Sequence, residues 1–558
     1  MNDKDKGSLP LESYALDHAL LLWGKVDAAA ERIAWYFETY VRGADGMTPK
    51  SLSPGANSTA SSYGPPGSID LKHWEDSVFF ADSFADYGRW VELWVDTARA
   101  KQAQAAGDGW ITKTWPQVKL MAMYMLELRA NATQSGVGSG LIFGPAEHDT
   151  AHSETNWFSI SAWTWRGFVQ LQRFLVDTDA ISEGSFAKLL LTESSAFKKD
   201  LDVAVAASLA KDAQGLPFFV PPFASTNFTP YASMTQSGNI HGGCTGSDCS
   251  GFGGGASYAN FRYFSEMLSA QFMGDEVDGA LNKFRESHGG TLSGMTRFRD
   301  HLDDMPANGY AYSAIATDRV KSYLSLMFGH IANYQARGTF NSPEQLGLYG
   351  DGGSNKIWTY SDSYRQMLSA GHGEVDIDTC VPSTTLVAFM LRWMLIFEQR
   401  DTDTIWLLKA APRRFYALEK KQAVISVSAA PTRFGEVSFS VGSSSDNNEG
   451  VEQSGSLRMV CNVSIALHGR GMVDKVGIAL LLRLRDPQGT RKLKHATVNA
   501  NGGGGGGVTL GKIDAEAETV EVKISASLVQ HARMVAMTRK VRGSGADPTT
   551  FSLVAELE

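Results

Sequence analysis

The spacing of apolar residues divides the chain into a long helical part and a shorter part rich in strands. From about residue 14 to residue 420, apolar residues recur at intervals of three and four, which is the period of an amphipathic helix. Short helices are also expected at 276–287 and 293–301. The strong helices are predicted over residues 16–42, 82–101, 115–131, 159–177, 186–211, 257–272, 318–336, 361–370 and 384–400.

The segments that join these helices are long, polar and rich in glycine and proline. They cover residues 43–70, 132–158, 213–256, 287–315 and 338–360. Long loops inside a compact domain usually carry function or are disordered. Because these loops alternate with pairs of helices, we expect a mainly α fold, a toroid of helical hairpins whose loops gather at one end and form a cleft.

From about residue 421 the period changes from that of a helix to that of a strand. Stretches such as AVISVSAAPTRFGEVSFSV and TVEVKISASLV alternate apolar and polar residues between turns rich in Gly, Ser, Asn and Asp. This pattern predicts a C-terminal antiparallel β-sandwich. We therefore expect a disordered or truncated N-terminus over residues 1–13, a catalytic toroid over 14–420 and a β-sandwich over 421–558.

Composition and charge exclude several classes of partner. The 558 residues carry a net charge of −9 without a basic stripe, which argues against nucleic acid. No apolar run approaches the roughly 18–20 residues that span a bilayer, so a membrane is not expected. Cys244 and Cys249 form the only close cysteine pair, and either a disulfide or two free thiols fits them. No metal-ligand pattern completes a zinc site, and no cofactor is expected.

The compartment and the oligomeric state stay open at this stage. The N-terminus lacks the apolar segment of a signal peptide, so a cytoplasmic location is the default. However, the chain contains four N-glycosylation sequons and begins as if it were cut from the middle of a protein. If the N-terminus is truncated, the protein is secreted.

The stretch GPAEHDTAHSETNWFSISAWTWRG, residues 144–167, is the strongest candidate for chemistry. Glu147 and Asp149 lie on a loop before the helix predicted at 159–177. Their carboxyl groups can transfer protons, while His148 and Trp157 can bind a sugar ring. The alternative is that the acidic residues of this loop only solvate the start of a helix.

Further candidates lie in other joining segments. GHGEVDIDTCVPS, residues 371–383, offers Glu374 as a carboxylate and His372 and Asp376 as binding groups, although a solvated acidic loop fits equally. Its acidic residues lack the spacing of a calcium-binding loop, so no metal is expected. Glu344, in NSPEQ, is either a catalytic carboxylate or a helix cap.

Cationic and aromatic side chains in two more segments complete the predicted cleft. Arg297 can hold the carboxylate of a uronic acid through two hydrogen bonds, or else it belongs to an internal salt-bridge network. His73 and Trp74 precede the helix predicted at 82–101 and are expected to line the same opening.

The join between the two predicted parts carries a resemblance to a known group of proteins. RWMLIFEQRDTDTIWLLKAAPRRFYALEKKQAVISVSAAPTRFGEVSFSV, residues 392–441, resembles the exit from the last toroid helix into the C-terminal sandwich of the six-hairpin glycosidase superfamily. RLRDPQGTRKLKHATVNA, residues 483–500, resembles a strand pair of that sandwich. The resemblance implies an (α/α)6-type toroid, a poly- or oligosaccharide substrate and most often an inverting hydrolase. The N-terminal β-domain that is common in the superfamily is absent.

Hydrolysis of a glycosidic bond requires a general acid and a general base, usually two carboxyl groups. We therefore predict a glycoside hydrolase with Glu147 or Asp149 as the acid and Glu374 or Glu344 as the base. One alternative is a polysaccharide lyase that uses a Tyr or His base beside a cation. Its residues would come from His148, His152, Asn156, Arg297, Tyr310 and Tyr312. The other alternative is a toroid that binds glycans without catalysis.

Overall fold

The structure of the protein, a computed structural model, combines a helical region with a β region that follows it along the chain. The last of the long α-helices ends at Leu395, and the two large sheets are formed by strands that come after this residue. The residues that the structure describes are 10–42, 48–49, 85–102, 107–135, 140–144, 155–178, 180–219, 223, 264–298, 301–304, 306–335, 340–342, 345–347, 380–402, 404–416, 425–443, 457–467, 477–501, 507–528 and 549–557.

The connections between successive helices of the described residues alternate between short and long. They are α1 (Pro10–Leu22), α2 (Val26–Tyr40), α3 (Ala85–Gln102), α4 (Gly107–Ser135), α5 (Phe158–Asp177), α6 (Gly184–Ser208), α7 (Phe264–Ser269), α8 (Asp275–Ser287), α9 (Ala307–Ala316), α10 (Val320–Asn333) and α11 (Val381–Leu395). Each odd-numbered helix up to α9 reaches its even-numbered successor through a short connection. The segments that lead to the next odd-numbered helix are long: 41–84, 136–157, 209–263, 288–306 and 334–380.

The odd-numbered helices pack against one another. The packed pairs are α1 with α3, α3 with α5, α5 with α7, α7 with α9, α9 with α11, and α11 with α1. The even-numbered helices lie against this set: α2 contacts α1 and α3, α4 contacts α3, α6 contacts α5, α8 contacts α9, and α10 contacts α9 and α11. Short connections between packed helices produce antiparallel hairpins.

Hydrogen bonds between neighbouring odd-numbered helices show that they run in the same direction. Gln102 Nε2 donates to Thr178 Oγ1 at 2.6 Å, which joins the C-terminal ends of α3 and α5. Arg392 Nε donates to the carbonyl of Leu22 at 3.3 Å near the C-terminal ends of α11 and α1. Ser265 near the start of α7 donates to the carbonyl of Pro306 just before α9. Trp163 near the start of α5 also donates to the carbonyl of Glu266 near the start of α7 at 3.0 Å, and the ring of Tyr14 near the start of α1 lies 6.4 Å from that of Trp163. The long segments therefore enter the odd-numbered helices at one common end.

The helix predicted over residues 16–42 is wrong as a single element, because the chain breaks between α1 and α2. Gly24 has φ of +75°, a left-handed conformation that glycine adopts without steric cost. Its N–H donates to Leu21 O at 3.0 Å, and Lys25 N–H donates to Leu20 O at 2.8 Å. This pair of bonds is a Schellman motif, which ends α1 and satisfies its last carbonyl groups.

The short helix predicted at 293–301 is also wrong, since this part of the chain forms a hairpin. The strands β7 (Thr291–Leu292), β8 (Met295–Phe298), β9 (His301–Asp303) and β10 (Gln345–Gly347) pair antiparallel in the order β10-β9-β8-β7. Gly294, with φ of +84°, makes the turn before β8 and prevents a helix from passing through it.

Smaller strand pairs occupy the ends of several long segments. They are β1 (Val41–Arg42) with β2 (Thr48–Pro49), β3 (Phe143–Gly144) with β4 (Thr155–Asn156), and β5 (Ala210–Lys211) with β6 (Pro217–Phe218). The β3–β4 pair brings the residues on either side of the 145–154 segment together immediately before α5.

The β region consists of two five-stranded sheets that share one apolar core. The strand order of the first sheet is β11-β12-β16-β19-β18, and that of the second is β13-β14-β15-β20-β17. The strands are β11 (Ile396–Gln399), β12 (Thr404–Leu407), β13 (Ile425–Thr432), β14 (Gly435–Ser443), β15 (Leu457–Leu467), β16 (Ile478–Arg483), β17 (Leu493–Asn501), β18 (Val508–Asp514), β19 (Thr519–Ile524) and β20 (Thr549–Leu557).

Two details differ from the predicted antiparallel sandwich. The helix predicted at 384–400 ends at Leu395, and β11 and β12 then join the first sheet before residue 421 is reached. In addition, β12 pairs parallel with β16, with Thr404 opposite Ala479. A parallel pair needs a crossover of about a dozen residues or more. The chain between Leu407 at the end of β12 and Ile478 at the start of β16, which includes β13, β14 and β15, is long enough. The division of the chain into 1–13, 14–420 and 421–558 stays a prediction, although α1 already begins at Pro10.

Candidate functional site

A stripe of charged residues on α3 faces the other odd-numbered helices. Arg89, Glu92 and Asp96 follow one another at intervals of three and four residues, so they lie on one face of the helix. Trp90 and Trp94 belong to the apolar core cluster together with residues of α2 and α4. α3 is therefore enclosed on two sides, with aromatic packing on one face and charge on the other.

Near the start of α3 and α7, one arginine joins two carboxylates. Arg89 Nη1 lies 2.6 Å from Asp86 Oδ1, and Arg89 Nη2 lies 3.2 Å from Glu266 Oε1. All three side chains are buried. Burial alone would lower the pKa of Arg89, but the carboxylates of Glu266 and Asp86 outweigh it and raise this pKa above its usual range. This cluster lies at the end of the helices that the long segments enter.

Farther along the same face, Arg400 reaches in from the end of β11. Its Nε lies 3.4 Å from Glu92 Oε1, and its guanidinium lies 4.1 Å from the ring centre of Tyr312. Trp163 of α5 lies between two guanidinium groups, 5.2 Å from that of Arg89 and 5.4 Å from that of Arg400. Such cation–π contacts favour a charge over the face of a ring. Charged groups and aromatic rings thus alternate between α3, α5, α9 and the end of β11.

A cavity of about 90 Å³ lies beyond Arg400, between the C-terminal ends of these helices and the β13–β14 turn. Ligand pockets usually measure about 300–1,000 Å³, so this cavity suits a few waters rather than a sugar. Asp96 lines it, and its pKa is raised to about 7, first by burial and then by the nearby Glu92. Arg99 opposes this shift.

Most of the residues that the sequence predicts for the site lie outside the described residues. They are His73, Trp74, Glu147, His148, Asp149, Glu344, His372, Glu374 and Asp376. Their positions along the chain are still informative, because each belongs to a long segment that precedes α3, α5 or α11. Their roles stay predictions.

Two of the predicted binding residues are described, and both are buried. Trp157, immediately before α5, has 2% of its surface exposed, and its carbonyl accepts a hydrogen bond from Ser161 N–H at 3.3 Å. Arg297 on β8 has 5% exposed and donates from Nη1 to the carbonyl of Gly289 at 3.1 Å. The Arg297 side chain thus supports the backbone around it, while Trp157 is enclosed in the core; the predicted contact of both residues with a substrate stays a prediction.

A second polar cluster links β9, α10 and the segment before α11. His330 lies between Asp304, 2.7 Å from its Nδ1, and Ser342, whose Oγ is 3.3 Å from its Nε2. This order of Ser, His and Asp is that of the serine hydrolases. All three residues have no exposed surface, so the hydroxyl of Ser342 has no route to a substrate in this arrangement.

Of the residues that were candidates for a lyase, Asn156, Tyr310 and Tyr312 are described and buried, whereas His148 and His152 lie outside the described residues. Asn156 Nδ2 donates to the carbonyl of Leu141 at 2.6 Å, and the ring of Tyr310 lies 3.5 Å from the guanidinium of Arg285. Burial raises the pKa of Tyr312 to about 12, with Arg400 acting in the opposite direction. A tyrosine base needs a lowered pKa, so Tyr312 does not suit this role, and the lyase alternative stays a prediction.

The charged set around Arg89 and Arg400 was missed by the sequence analysis. A signal in the sequence could have identified Arg89, Glu92 and Asp96. These charged residues recur at intervals of three and four along the helix ADYGRWVELWVDTARAKQ, which also carries many large apolar residues, and charged side chains are rarely buried unless they are paired. Glu266 and Arg400 carry no comparable local signal.

Two further kinds of feature are absent from the described residues. In those ranges, no three His, Cys, Asp or Glu side chains are grouped so as to hold a metal ion. Within the same ranges, no helix has both the length and the apolar character needed to span a membrane.

Comparisons with known proteins give only a coarse likeness. No protein-family model matches the sequence, and no curated protein matches it. A wild-type glycosidase of known structure shares 12% identity with a TM-score of 0.39. A glycosidase variant in complex with glucose shares 11% identity with a TM-score of 0.40. Each alignment covers 69% of this chain and 86% of the other.

Proposed function

We propose that the protein is a glycoside hydrolase built on a ring of six helices. The proposed ring consists of the odd-numbered helices, because each of them packs against two others in the cycle α1-α3-α5-α7-α9-α11-α1. With the even-numbered helices outside, this arrangement is an (α/α)6-type toroid. The two β-sheets that follow serve as the C-terminal sandwich.

The proposed active site lies at the end of the ring where the long segments enter. The asymmetry of the connections is the observation that carries this proposal, since the odd-numbered helices run in the same direction and the candidate carboxylates all precede them. Glu147 and Asp149 precede α5, while Glu344 and Glu374 precede α11. We expect these segments to meet over the ring and to form one cleft.

The Asp86–Arg89–Glu266 cluster lies at the same end of the ring and supports the proposed position of the active site. Asp86 and Glu266 lie in the first turns of α3 and α7, so they place charge at this end of the ring. Arg89 fixes both carboxylates by direct contact. Such a preorganised cluster suits the partial positive charge that develops on the sugar ring in the transition state.

The proposed mechanism uses one protonated and one ionised carboxyl group. Glu147, with Asp149 as the second choice, donates a proton to the leaving oxygen. Glu374 or Glu344 takes a proton from the attacking water. The proposed substrate is an oligo- or polysaccharide, and both carboxyl groups are required because breaking its glycosidic bond needs a proton donor and a base.

The proposal is tested with a panel of glycans and two separate readouts. Release of reducing sugars without ultraviolet absorbance of unsaturated uronates supports a hydrolase. The variants Glu147→Gln and Glu374→Gln should each lower the rate by about 10²–10⁴-fold, which is the usual contribution of general acid–base catalysis. Glu516→Gln is the matched control, because Glu516 lies exposed in the turn between β18 and β19.

Several outcomes would contradict the proposal. Uronate absorbance would indicate a lyase, and binding without turnover on any glycan would indicate a toroid that binds only. Full activity of Glu147→Gln and Asp149→Asn on a natural glycan would reject the assignment of the acid.

A further inference from the structure

The cavity of about 90 Å³ at the C-terminal ends of the odd-numbered helices is lined by charged and polar side chains. Its walls come from α1, α3, α5, α9 and α11, and β11 and the β13–β14 turn close it from the β region. It therefore lies away from the end that the long segments enter. A few waters or one ion of the size of chloride fit this volume, whereas a sugar ring does not.

The charged groups of this lining carry an excess of positive charge. Four guanidinium groups face three carboxyl groups: Arg99, Arg392, Arg400 and Arg433 against Glu92, Asp96 and Glu398. Outside the lining, Asp177 and Arg173 influence Arg99 with one charge of each sign, so they leave the balance unchanged. A buried charge without a counter-charge is costly, and one monovalent anion would offset it.

One of the four guanidinium groups keeps its donors available to the cavity. Arg392, Arg400 and Arg433 each donate to backbone carbonyl groups. Arg99 makes no hydrogen bond to another described residue, and the carboxylate beside it, Oδ1 of Asp96, lies 3.7 Å from its Nη1, which is too far for one. Because 16% of the Arg99 side-chain surface is accessible, a small ligand in the cavity can contact it.

Two uncharged side chains add donors to the same cavity. Gln170 on α5 is 3% exposed and lines the cavity, and its amide makes no hydrogen bond within the described part of the chain. Burial, and then the nearby Arg400 and Arg392, lower the pKa of the half-buried His18 to about 3, so its imidazole is neutral and carries one N–H. Donors from α1, α3 and α5 thus face one small space, which suits a ligand that only accepts hydrogen bonds.

We propose that this cavity binds one small monovalent anion, of the size of chloride, which accepts hydrogen bonds from Arg99, Gln170 and His18. The anion lies between the C-terminal ends of the helices and the β13–β14 turn, so its role is to hold the helical and β regions together. Binding stabilises the folded protein, because the unfolded chain lacks the site. The proposal is independent of the proposed hydrolase activity.

Asp96 makes the affinity of this site depend on pH. Burial and then Glu92 raise the pKa of Asp96 to about 7, with Glu398 acting in the same direction and Arg99 and Arg433 in the opposite one. An anion beside Asp96 repels its ionised form, so the anion binds together with the protonated carboxyl group. Since the proton is lost above pH 7, the apparent Kd should rise about tenfold between pH 6 and pH 8.

Thermal unfolding of the full chain in two salts tests the proposal. Sodium chloride is compared with sodium gluconate at matched ionic strength, because gluconate is too large for the cavity. We expect chloride to raise the unfolding temperature in a saturable way, with an apparent Kd about tenfold lower at pH 6 than at pH 8. Line broadening of the chloride NMR signal measures the same binding directly.

Four variants assign the effect to this cavity. Arg99→Gln should abolish the chloride effect, and Gln170→Leu, which removes only the amide, should weaken binding by about tenfold. Asp96→Asn should bind chloride with the same Kd at pH 6 and pH 8. Arg319→Gln is the matched control, because Arg319 is another partly buried arginine beside one carboxylate, that of Glu286, and it should keep the full effect.

Each variant is compared with itself in the two salts, so a general loss of stability does not enter the comparison. Equal unfolding temperatures of the unaltered protein in chloride and gluconate would overturn the proposal. A chloride effect that persists in Arg99→Gln, or that disappears equally in Arg319→Gln, would overturn it as well. An affinity of the unaltered protein that is the same at pH 6 and pH 8 would show that the anion does not lie beside Asp96, and would reject this cavity as the site.

Discussion

The Nδ1 atom of His330 lies 2.7 Å from Oδ2 of Asp304, and neither side chain has any exposed surface. Asp304 also accepts a hydrogen bond from Thr296 N–H at 3.0 Å, while Ser342 approaches the other nitrogen of His330. The pair thereby connects β8, the segment after β9, α10 and the segment before α11. Its burial indicates a role in holding these elements together.

We predict that His330→Ala lowers the free energy of unfolding by about 3–5 kcal/mol, as expected when one partner of a buried polar pair is removed. The substitution leaves the Asp304 carboxylate buried without the imidazole. Ser342→Ala removes a longer and weaker bond, so a loss of about 1 kcal/mol is expected. Urea denaturation followed by circular dichroism measures both values.

The same cluster makes a prediction about reactivity. A serine-directed sulfonyl fluoride should leave Ser342 unmodified in the native protein, because its hydroxyl is enclosed. Mass spectrometry of the treated protein checks this expectation. Labelling of Ser342, together with a stable His330→Ala variant, would mean that the cluster is a reactive site.

The close contact of α3 and α5 depends on Gly88. A Cβ atom added at this position would lie 2.0 Å from the carbonyl oxygen of Trp163, which is backbone and cannot rotate away. Gly88→Ala should therefore destabilise the protein by about 3 kcal/mol, the upper end of the usual cost of overpacking. Thermal unfolding at matched concentration gives the comparison.

Gly109 provides the control for this substitution, since it also lies in a helix but a Cβ there would meet nothing within 4 Å. Gly109→Ala should stabilise the protein by about 0.5–1 kcal/mol, because alanine is the better helix former. Equal stability of the two variants would show that α3 and α5 can move apart without loss.

The raised pKa of Asp96, about 7 against an ordinary value of 3.8, predicts a pH dependence of stability. The folded state binds this proton more tightly than the unfolded state, so the contribution of Asp96 is most favourable at low pH. It is lost as the pH rises from about 4 through 7. Because 35% of the Asp96 side-chain surface remains accessible, the slope is expected to be shallow.

Asp96→Asn tests this dependence, because the amide does not titrate. Its stability should match that of the unaltered protein near pH 4 and exceed it near pH 8, as the sign of the pKa shift requires. Parallel curves for the two proteins between these values, measured by chemical denaturation, would rule out a raised pKa at Asp96.

An inverting mechanism predicts the anomer of the first product. Inverting enzymes hold their carboxyl groups about 6.5–9.5 Å apart so that a water fits between them. If Glu147 and Glu374 form such a pair, proton NMR of a fresh reaction should detect the product with inverted configuration. A retained configuration would require carboxyl groups about 5 Å apart and a covalent intermediate.

The sequence predicted that a helical region is followed by a β region, because periodicity reports which face of an element is buried. The helices predicted at 82–101, 159–177 and 186–211 agree closely with α3, α5 and α6. α9 was missed because ANGYAYSAIA is small and apolar on all sides, so it has no amphipathic period. The break at Gly24 required recognition of a helix-ending glycine rather than of a period.

The charged interior was beyond the reach of sequence periodicity. Glu266 meets Arg89, and Arg400 meets Glu92, across more than a hundred residues of chain, so no local spacing predicts these pairs. Arg400 in particular belongs to a turn after a strand, where a cation is ordinarily assumed to face solvent. The predicted loop acids remain candidates because the site that they would form depends on segments outside the described residues.

The contact between α1 and α11 cannot form until almost 400 residues of the chain have been synthesised. Trp23 Nε1 donates to Ala388 O at 3.1 Å, and Ala15 and Ala19 share a core with Phe389 and Trp393. Ribosomes add about 5–20 residues per second, so α1 waits on the order of 20–70 seconds for its partner. During that interval its apolar face has no native cover from α11. A chaperone that shields nascent chains, or a permuted gene that brings α11 and α1 together early, should therefore raise the yield of folded protein.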